Sequence, residues 1–469
     1  MPPDSATPPG VVFLPVNGPA WREMHWLASA LADAGLARPL MLVVERCVAL
    51  PRLADGRIAY HPLREAAPGG SGAAGRLLRR LAQRVGGQRA ALPWDRALQR
   101  ARLADHLAQL EDALAGRAPA LAVLAGDRQL GWELPLMGLC RRRGMKALLP
   151  PVSYPGDRDD LTSIRRGPRF DAETWPELRQ RFPEKYVTDR QAGRRVWFYE
   201  PAALLAADGL GLLPPNPWAL GSNGVDLVLV DGENTRARLI ATGSDPERIV
   251  ACGHRGHDDL HAGLQRRAEL RQELDPAAAG AAGRWLLASP PPLGEANLCD
   301  WERHWREMRF LAETLVRAAA QAGAKVLVSL HPKMDPARYR FLAEEYGLDV
   351  CARPLAEILP AADVFIAPQG STTIQWAVLC GAPALALDIY GLDLALYADL
   401  AGVRVIRERQ AILPELLRLA RDEAHYQALA AAQRRDRPGF SPFDGGCGRR
   451  IIAAAAGLLG RALPGPPAA

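Results

Sequence analysis

Short apolar runs alternate with amphipathic segments along most of the 469 residues. Each run is β-branched or Leu-rich, and a loop with Gly, Pro, Asn or Ser separates it from an Ala/Leu/Arg segment of helical periodicity. This order is typical of βα units on a parallel sheet. The predicted strands are 11–16, 40–44, 121–124, 146–149 and 226–230 in the first half, and 284–288, 325–330, 363–367 and 384–387 in the second.

The strands form two groups, which predicts an α/β protein with two Rossmann-like parallel-sheet domains. A charged stretch without strands separates the groups, and we interpret it as an interdomain linker. Two further segments lack the strand pattern and are predicted to be insertions in the first domain. The predicted boundaries are 1–256 for the first domain with insertions at about 64–93 and 156–220, 257–282 for the linker, 283–437 for the second domain, and 438–469 for a helix and tail.

Composition narrows the class of protein. The hydrophobic fraction of 48% and the net charge of only +6 are typical of a folded chain. We expect a cytoplasmic protein, because there is neither an apolar run of about 18 residues nor a basic and then apolar leader. The seven cysteines are scattered and never form C-x-x-C, so no disulfide framework or metal site is predicted. Dinucleotide, P-loop, zincin and G-x-S-x-G motifs are also missing.

The strongest candidate site follows the predicted strand 363–367. Gly370 permits a tight turn, and Ser371, Thr372 and Thr373 precede a predicted helix, Ile374–Cys380. Hydroxyl and backbone N–H groups at a helix N-terminus suit a phosphate, and ligands of α/β folds bind at the carboxyl ends of strands. The alternative is that Ser371 only caps the helix.

A second candidate is the segment SLHPK, residues 329–333, at the end of the strand 325–330. Because Pro332 follows His331, the histidine is steered away from helical backbone and is presented at the sheet edge. We expect His331 to donate to a phosphate or carbonyl oxygen and Lys333 to balance the charge of a diphosphate. A solvated surface lysine is the alternative.

Candidate catalytic residues follow strands of the first domain. Asp127, after the strand 121–124, could act as general base on an acceptor hydroxyl, or could cap the next helix. Glu133 and His254 are reserve candidates for the base. Asn17 and Gly18, after the first strand, are predicted to line the acceptor side. The histidines around His254 lack metal-ligand spacing, so no metal site is predicted there.

Residues from about 230 to 390, roughly a third of the chain, resemble GT-B-type enzymes. The stretch TRARLIATGSDPERIVACGHRGHDDL is similar to the end of their first domain. SLHPK and then PLAEILPAADVFIAPQGSTTIQWAVLCGAPALALD are similar to their nucleotide-binding domain. Bacterial surface-polysaccharide glycosyltransferases, glycerophosphate transferases of wall teichoic acid synthesis and UDP-N-acetylglucosamine 2-epimerases share this layout. The resemblance implies a GT-B fold, in which two Rossmann-like domains face each other across a cleft.

The resemblance also implies how substrates bind. A nucleotide-activated donor would be a substrate of the second domain, with no separate cofactor and no metal, and a glycan or lipid-linked acceptor would bind the first domain. The His-Pro pair is similar to that of transferases with cytidine-linked donors. The residues expected to bind the donor are Ser289, His331, Pro332, Lys333, Gly370, Ser371, Thr372, Thr373 and Gln375.

Two departures from the resembling families shape the hypothesis. Gln375 stands where such families often carry a glutamate for the ribose, and SPPPLGE replaces the G-H-R-R-E loop of the epimerases. The leading hypothesis is therefore a metal-independent GT-B-type glycosyltransferase, or a closely related glycerophosphate-type transferase, of surface-polysaccharide or capsule synthesis. The alternatives are a UDP-N-acetylhexosamine-type 2-epimerase and a non-catalytic scaffold in glycan assembly.

The positive charge is local. Residues 71–102 contain eight arginines and one acidic residue. Arg76, Arg79, Arg80 and Arg84 alternate with apolar residues at helical spacing, as in helices that lie on anionic membranes. We therefore expect peripheral association with the inner face of the membrane; a solvated arginine face is the alternative. Nucleic acid is not predicted, because no aromatic residue is interleaved with these arginines.

Overall fold

The computed structural model describes residues 7–44, 56–65, 73–152, 158–190, 192–279, 283–390, 397 and 399–463. The chain divides into two compact units. The first comprises Met1–Cys252 and Arg449–Ala469, and the second comprises Gly253–Gly448. The two-domain α/β prediction is confirmed, since each unit is built on its own parallel sheet.

The first unit contains a sheet of seven described strands in the order β3-β2-β1-β4-β5-β8-β9, with parallel neighbours throughout. A separate antiparallel hairpin joins β6 and β7. In chain order the strands are β1 (Gly10–Leu14), β2 (Arg38–Val44), β3 (Ala59–Leu63), β4 (Pro119–Leu124), β5 (Lys146–Leu149), β6 (Tyr186–Asp189), β7 (Arg194–Trp197), β8 (Leu227–Val230) and β9 (Ile249–Ala251).

Helices lie between these strands, and their apolar faces cover the sheet, which is why the central strands are continuous apolar runs. Val12 of β1 and Ala122 of β4 belong to one buried cluster, whereas Phe13 and Val123, the next residue on each strand, belong to another. The helices described in this unit are α1 (Gly18–Asp33), α2 (Ala73–Ala113), α3 (Glu133–Arg143), α4 (Arg158–Ser163), α5 (Pro176–Arg181), α6 (Pro201–Asp208) and α7 (Glu233–Ala241).

The described parts of the two predicted insertions contain regular secondary structure. The described part of 64–93 consists of the end of its preceding loop and the first half of α2, which is broken at Gly87, where φ is 63°. The segment 156–220 contains the hairpin β6–β7, for which the sequence predicted no strand. Its aromatic residues, including Trp197 and Trp218, pack with Leu103 of α2 and Leu134 of α3 in one buried cluster.

The second unit has six described strands in the order β12-β11-β10-β13-β14-β15, all parallel. Counted from β10, this is the order 3-2-1-4-5-6 of the Rossmann fold. The chain therefore reverses direction across the sheet between β10 and β13, the place where ligands of such sheets bind. The strands are β10 (Trp285–Ala288), β11 (Lys325–Val328), β12 (Asp349–Val350), β13 (Val364–Pro368), β14 (Ala384–Leu387) and β15 (Val403–Ile406).

The helices described in the second unit begin with the stretch predicted to be a linker. Residues 257–279 instead lie in three helices, and Leu260 and Leu270 are buried with Trp285 and Phe365 in the core of this unit. The helices are α8 (Arg255–Gln265), α9 (Arg267–Leu274), α10 (Pro276–Ala279), α11 (Trp301–Ala322), α12 (Phe341–Glu344), α13 (Leu355–Ile358), α14 (Ile374–Cys380), α15 (Ile412–Arg421) and α16 (Glu423–Phe440).

The C-terminal segment 438–469 belongs to both units rather than forming a separate tail. Phe440 and Phe443 are buried in the second unit. The last helix, α17 (Cys447–Leu458), continues into the first unit, where Ile451 and Ala455 are buried. Within the described ranges, we find no helix with both the length and the apolar character needed to cross a membrane.

Candidate functional site

Three loops start side by side at the carboxyl edge of the second sheet. Strand β10 pairs with β11 on one side and with β13 on the other. The N–H of Ser289 donates to the Ile366 carbonyl at 2.8 Å, and the N–H of Ser329 donates to the Ala288 carbonyl at 2.9 Å. The loops that follow β10, β11 and β13 therefore leave the sheet next to each other. They carry Ser289, His331 and the Gly370–Thr373 turn, respectively.

His331 is half-buried, whereas Pro332 and Lys333 are exposed. Its Nδ1 accepts a hydrogen bond from the N–H of Lys333 at 3.1 Å. Burial, aided by the charge of Lys333, lowers the pKa of His331 below its usual range, so the ring is neutral at pH 7. With Nδ1 accepting, the proton of the neutral ring is assigned to Nε2, which has no partner among the described residues. His331 therefore offers one N–H donor.

The loop after β13 is a tight turn that leads into α14. The Ser371 N–H donates to the Pro368 carbonyl at 2.9 Å, and the Ser371 and Thr373 hydroxyls are 2.7 Å apart. Thr373, at the N-cap position, makes no side-chain cap. The Ser371 hydroxyl instead accepts from the Thr373 N–H at 3.4 Å, within the turn.

The sequence predicted that the backbone N–H groups at the start of α14 are free to donate to a phosphate, but three of them already have partners. The N–H groups of Ile374, Gln375 and Trp376 donate to the carbonyls of the residues three positions earlier, at 3.3, 3.3 and 3.0 Å. They are thus already engaged within the turn. The side-chain groups that this turn offers to a ligand are the hydroxyls of Ser371, Thr372 and Thr373 and the half-buried amide of Gln375.

A buried hydrogen-bonded chain lies in the same unit, and the sequence did not single it out. The Gly294 N–H donates to His304 Nδ1 at 3.4 Å, and His304 Nε2 lies 2.6 Å from the Tyr339 hydroxyl. That hydroxyl donates to Glu295 Oε1 at 2.6 Å. Glu295 is in the loop after β10, between the loops that carry His331 and Ser371.

In the first unit, Asp127 follows β4 and is fully buried. Its Oδ2 accepts from the Asn223 N–H at 3.1 Å, and its carbonyl accepts from the Asn223 amide at 2.7 Å. Burial raises the pKa of the Asp127 carboxyl, against the effect of these N–H donors. Asp127 does not cap the next helix, since α3 begins six residues later at Glu133.

Glu133 is also buried, and its Oε2 accepts from the Gln129 N–H at 3.1 Å. Burial, with a smaller contribution from the charge of Asp127, raises the pKa of Glu133 to about 7. A carboxyl with this pKa exchanges its proton readily at neutral pH, as a general base requires. The structure thus brings the first two base candidates into one buried cluster.

Further polar residues of this cluster were missed by sequence reasoning. Arg128 is buried and donates to the Trp218 carbonyl at 3.1 Å, and the Tyr199 hydroxyl donates to the Arg128 carbonyl at 2.7 Å. The Arg165 guanidinium lies 4.0 Å from the centre of the Phe198 ring. Arg128 was visible beside Asp127 in the sequence, but the other partners come from the segment 156–220, which has no recognisable motif.

Two other candidates have structural roles as helix caps. Exposed Asn17 accepts from the Ala20 N–H at 2.9 Å and caps α1, of which Gly18 is the first residue. His254 caps α8, since its Nδ1 accepts from the Gly256 N–H at 2.9 Å. His254 also belongs to the second unit rather than to the predicted first domain.

The comparisons with known proteins bear on the fold. No protein-family model matches the sequence, and a comparison with curated proteins finds no match. A UDP-GlcNAc 2-epimerase from Neisseria meningitidis, solved with bound UDP-GlcNAc, has a TM-score of 0.51 at 12% identity, covering 94% of this chain and 97% of that chain. A second UDP-N-acetylglucosamine 2-epimerase has a TM-score of 0.54 at 11% identity, covering 99% and 100%.

A glycosyltransferase has the same TM-score as the second epimerase. The glycotransferase of kitacinnamycin has a TM-score of 0.54 at 17% identity, covering 98% of this chain and 100% of that chain. These similarities extend over nearly the whole chain, beyond the third that carries the sequence resemblance. The fold of this chain is therefore similar to that of these two epimerases and of this glycosyltransferase.

Proposed function

We propose that this protein is a metal-independent GT-B-type transferase. It moves a sugar, or a glycerophosphate-like group, from a nucleotide-activated donor to a bacterial surface glycan. The observation that carries the proposal is the side-by-side start of the loops with His331 and Ser371 at the carboxyl edge of a Rossmann-type sheet. The proposal is also supported by the fold shared with a glycosyltransferase along nearly the entire chain.

The donor would be held through its phosphates. His331 would donate from Nε2 to a phosphate oxygen, and whichever of the Ser371 and Thr373 hydroxyls accepts in their mutual hydrogen bond would donate its own proton to another. Exposed Lys333 would add a positive charge at the same edge. These donors would stabilise the negative charge on the departing phosphate without rearrangement. The similarity of the His-Pro pair to that of transferases with cytidine-linked donors supports a donor of this kind.

The acceptor would be activated from the first unit. Glu133, with a pKa of about 7, is the better candidate for the base in its protonation behaviour, whereas Asp127 is fixed by Asn223. Both are buried, so the acceptor hydroxyl would have to reach the cluster when substrate binds.

A lipid-linked acceptor would agree with docking of the enzyme on the membrane through α2. The Arg84 side chain is exposed; those of Arg76, Arg79 and Arg80 lie outside the described side chains. Trp94 is 46% exposed and Leu98, one helical turn later, is 36% exposed. Arg84 precedes the break at Gly87, and Trp94 and Leu98 follow it, so both halves of α2 expose side chains that suit an anionic lipid surface.

The donor proposal is tested by thermal unfolding with CMP, CDP, UDP and GDP. We expect at least one nucleotide to raise the unfolding midpoint of the wild-type protein, and we expect CMP or CDP to do so most. His331→Ala should reduce this shift while leaving the midpoint of the free protein unchanged, since the side chain is half-buried and its one hydrogen bond is local. If the protein is folded and none of the four raises the midpoint, the proposal is wrong.

Isotope exchange distinguishes the alternative of an epimerase from the proposed transferase. The specific support for an epimerase is the fold shared with two epimerases. In deuterated water, epimerisation of a UDP-N-acetylhexosamine would introduce deuterium at C2, whereas transfer would not. A scaffold would give neither reaction; in that case, His331→Ala would leave cellular glycan unchanged although deletion of the gene abolishes it.

A further inference from the structure

The buried hydrogen-bonded chain runs from the Gly294 N–H through the His304 and Tyr339 side chains to the Glu295 carboxylate, and all its hydrogen bonds are donated in that direction. A backbone N–H can only donate, so His304 Nδ1 accepts from Gly294. Burial lowers the pKa of His304, and the neutral ring then carries its proton on Nε2. That proton is donated to the Tyr339 oxygen, which leaves the Tyr339 hydroxyl hydrogen for Glu295 Oε1. Every proton in the chain is thus directed toward the Glu295 carboxylate.

The ring systems of this chain are rigid. His304 and Tyr339 are both 0% exposed, and Trp305 contacts both rings, with centroid distances of 4.9 and 5.3 Å. The polar partners of Glu295 cannot turn away to solvent, because these aromatic neighbours fill the space around them. Burial and the hydrogen bond to Glu295 raise the pKa of Tyr339, so its hydroxyl keeps its proton.

The loop that carries Glu295 is also fixed. The Ala296 N–H donates to the Pro292 carbonyl at 2.8 Å, and the Leu298 N–H donates to the Leu293 carbonyl at 2.9 Å. Gly294 lies so close to Trp301 that a Cβ at this position would be 2.8 Å from the indole ring. The Glu295 backbone is therefore held on both sides by a compact turn.

The second carboxylate oxygen of Glu295 is in a different situation from the first. Glu295 Oε2 is buried and has no hydrogen-bond partner among the described residues. An ionised carboxylate only accepts hydrogen bonds, and an unpaired buried acceptor destabilises the protein. Glu295 differs from the other buried carboxylates with an unpaired oxygen, Asp127 and Glu307, in its place: its loop follows β10, beside the loops with His331 and Ser371, where an unpaired oxygen can accept from a ligand.

The position of Glu295 identifies the ligand. Its loop follows β10, the strand at which the chain reverses direction across the sheet, and lies between the loops with His331 and Ser371. We propose that Glu295 Oε2 accepts a hydrogen bond from a hydroxyl group of the nucleotide-activated donor, with Tyr339 and His304 as positioning residues. This inference rests on the proposed function. The hydroxyl can come from the ribose or from the transferred group.

The test compares Glu295→Gln with the wild-type protein by titration calorimetry, using whichever of CMP, CDP, UDP and GDP binds the wild type most tightly. The matched control is Glu302→Gln, an exposed glutamate in the first turn of α11. If the hydroxyl belongs to the ribose, we expect Glu295→Gln to weaken nucleotide binding about tenfold or more, the effect of losing a hydrogen bond to a charged group. Glu302→Gln should bind as the wild type does.

Two further arms identify the hydroxyl. If it belongs to the ribose, the 2′,3′-dideoxy form of the same nucleotide should bind the wild type and Glu295→Gln equally. If it belongs to the transferred group, the substitution should weaken binding only of the complete activated donor, such as CDP-glycerol or a nucleotide sugar. Tyr339→Phe should weaken binding in the same arm by a smaller factor, because Oε1 loses its anchor.

The outcomes separate this inference from the proposed function. If the wild type binds a nucleotide and Glu295→Gln binds the nucleotide and the complete donor equally well, the role of Glu295 is overturned and the proposed function stands. If the wild type binds none of them, both are wrong. A lower unfolding midpoint of free Glu295→Gln would show instead that the carboxylate stabilises the fold, which also overturns the inference; we expect an unchanged or higher midpoint.

Discussion

Asp127 and Asn223 are joined by two hydrogen bonds, each between the backbone of one residue and the side chain of the other. The backbone N–H of Asn223 donates to the Asp127 carboxylate at 3.1 Å, and the side-chain amide of Asn223 donates to the backbone carbonyl of Asp127 at 2.7 Å. The pair connects the loop after β4 to the loop before β8, and both residues are buried. Asp127 therefore has a structural role that is independent of any role as a base.

The two roles are separated by a pair of substitutions. Asp127→Asn keeps an oxygen that can accept from the Asn223 N–H, so we expect the free energy of unfolding to change by less than about 1 kcal/mol. Asp127→Ala leaves a buried N–H unpaired and should lower it by about 1–3 kcal/mol. Urea unfolding measures both. If Asp127 is also the base, Asp127→Asn abolishes transfer in a folded protein; full activity of this variant would leave Glu133 as the candidate.

The pKa of Glu133 predicts a pH dependence of stability. The pKa is about 7 in the folded protein against an ordinary value of 4.5, so the folded state binds the proton more tightly than the unfolded state. The stabilisation is complete below pH 4.5 and is lost as the pH rises through 7. Glu133→Gln should remove this dependence, and its stability relative to the wild type should rise by up to about 3 kcal/mol between pH 4.5 and 8.

Chemical unfolding at several pH values between 4.5 and 8 measures this difference. Glu177→Gln, an exposed glutamate in α5, is a suitable control because its carboxyl is in contact with solvent. A constant difference between Glu133→Gln and the wild type over this range would show that the carboxyl is not protonated at neutral pH.

Gly253 opens the second unit and has a backbone conformation that favours glycine, with φ of +86°. A Cβ at this position would be 2.2 Å from Cys447 Sγ, a buried atom with little freedom to move. We expect Gly253→Ala to lower the free energy of unfolding by about 3 kcal/mol through strain and overpacking. Gly457→Ala is the control, since a Cβ there meets no atom within 4 Å and lies in a helix. That change should be neutral or slightly stabilising.

The strands of both sheets were largely predictable, and the exceptions have physical causes. Central strands such as Trp285–Ala288 are buried on both faces and are continuous apolar runs. The edge strand Ala59–Leu63 contains Pro62 and polar residues, and β12 has only two residues, so neither produces a hydrophobic signal. The hairpin β6–β7 was missed because each strand has only four residues, two of which are polar: Thr188 and Asp189 in β6, and Arg194 and Arg195 in β7.

Of the candidate site, only the residues in loops that directly follow predicted strands could be predicted from the sequence. His331 and Ser371 stand directly after apolar runs, so the order of the strands brings their loops together. The hydrogen bond from Tyr339 to Glu295 could not be predicted from the sequence, because the two residues are 44 positions apart. They meet only through packing of the loops after β10 and β11. The buried state of Asp127 depends in the same way on Asn223, 96 positions later.

The basic segment of α2 predicts binding to anionic membranes. Each arginine near such a surface contributes on the order of 1 kcal/mol, so replacement of several should weaken binding strongly. The substituted residues are Arg76, Arg79, Arg80 and Arg84, each changed to Gln. Co-sedimentation with vesicles of phosphatidylglycerol and phosphatidylethanolamine measures the bound fraction, and neutral phosphatidylcholine vesicles serve as the lipid control.

A variant with equal loss of charge controls for the net charge of the protein. It replaces exposed arginines from other parts of the chain, namely Arg22, Arg190, Arg306 and Arg435. Wild type and control should bind acidic vesicles and release them as salt is raised from 0.05 to about 0.5 M, because the Debye length then falls below ~5 Å. The α2 variant should not bind at low salt. Equal binding by both variants would mean that overall charge, and not this helix, attracts the protein to lipid.

Trp94→Ala separates insertion from electrostatic attraction. This side chain is 46% exposed in the half of α2 that follows the break at Gly87, and an indole at the lipid headgroups adds apolar contact that salt does not screen. We expect the variant to bind acidic vesicles at low salt but to dissociate at a lower salt concentration than the wild type. An unchanged salt profile would show that Trp94 stays in water and that the arginines act alone.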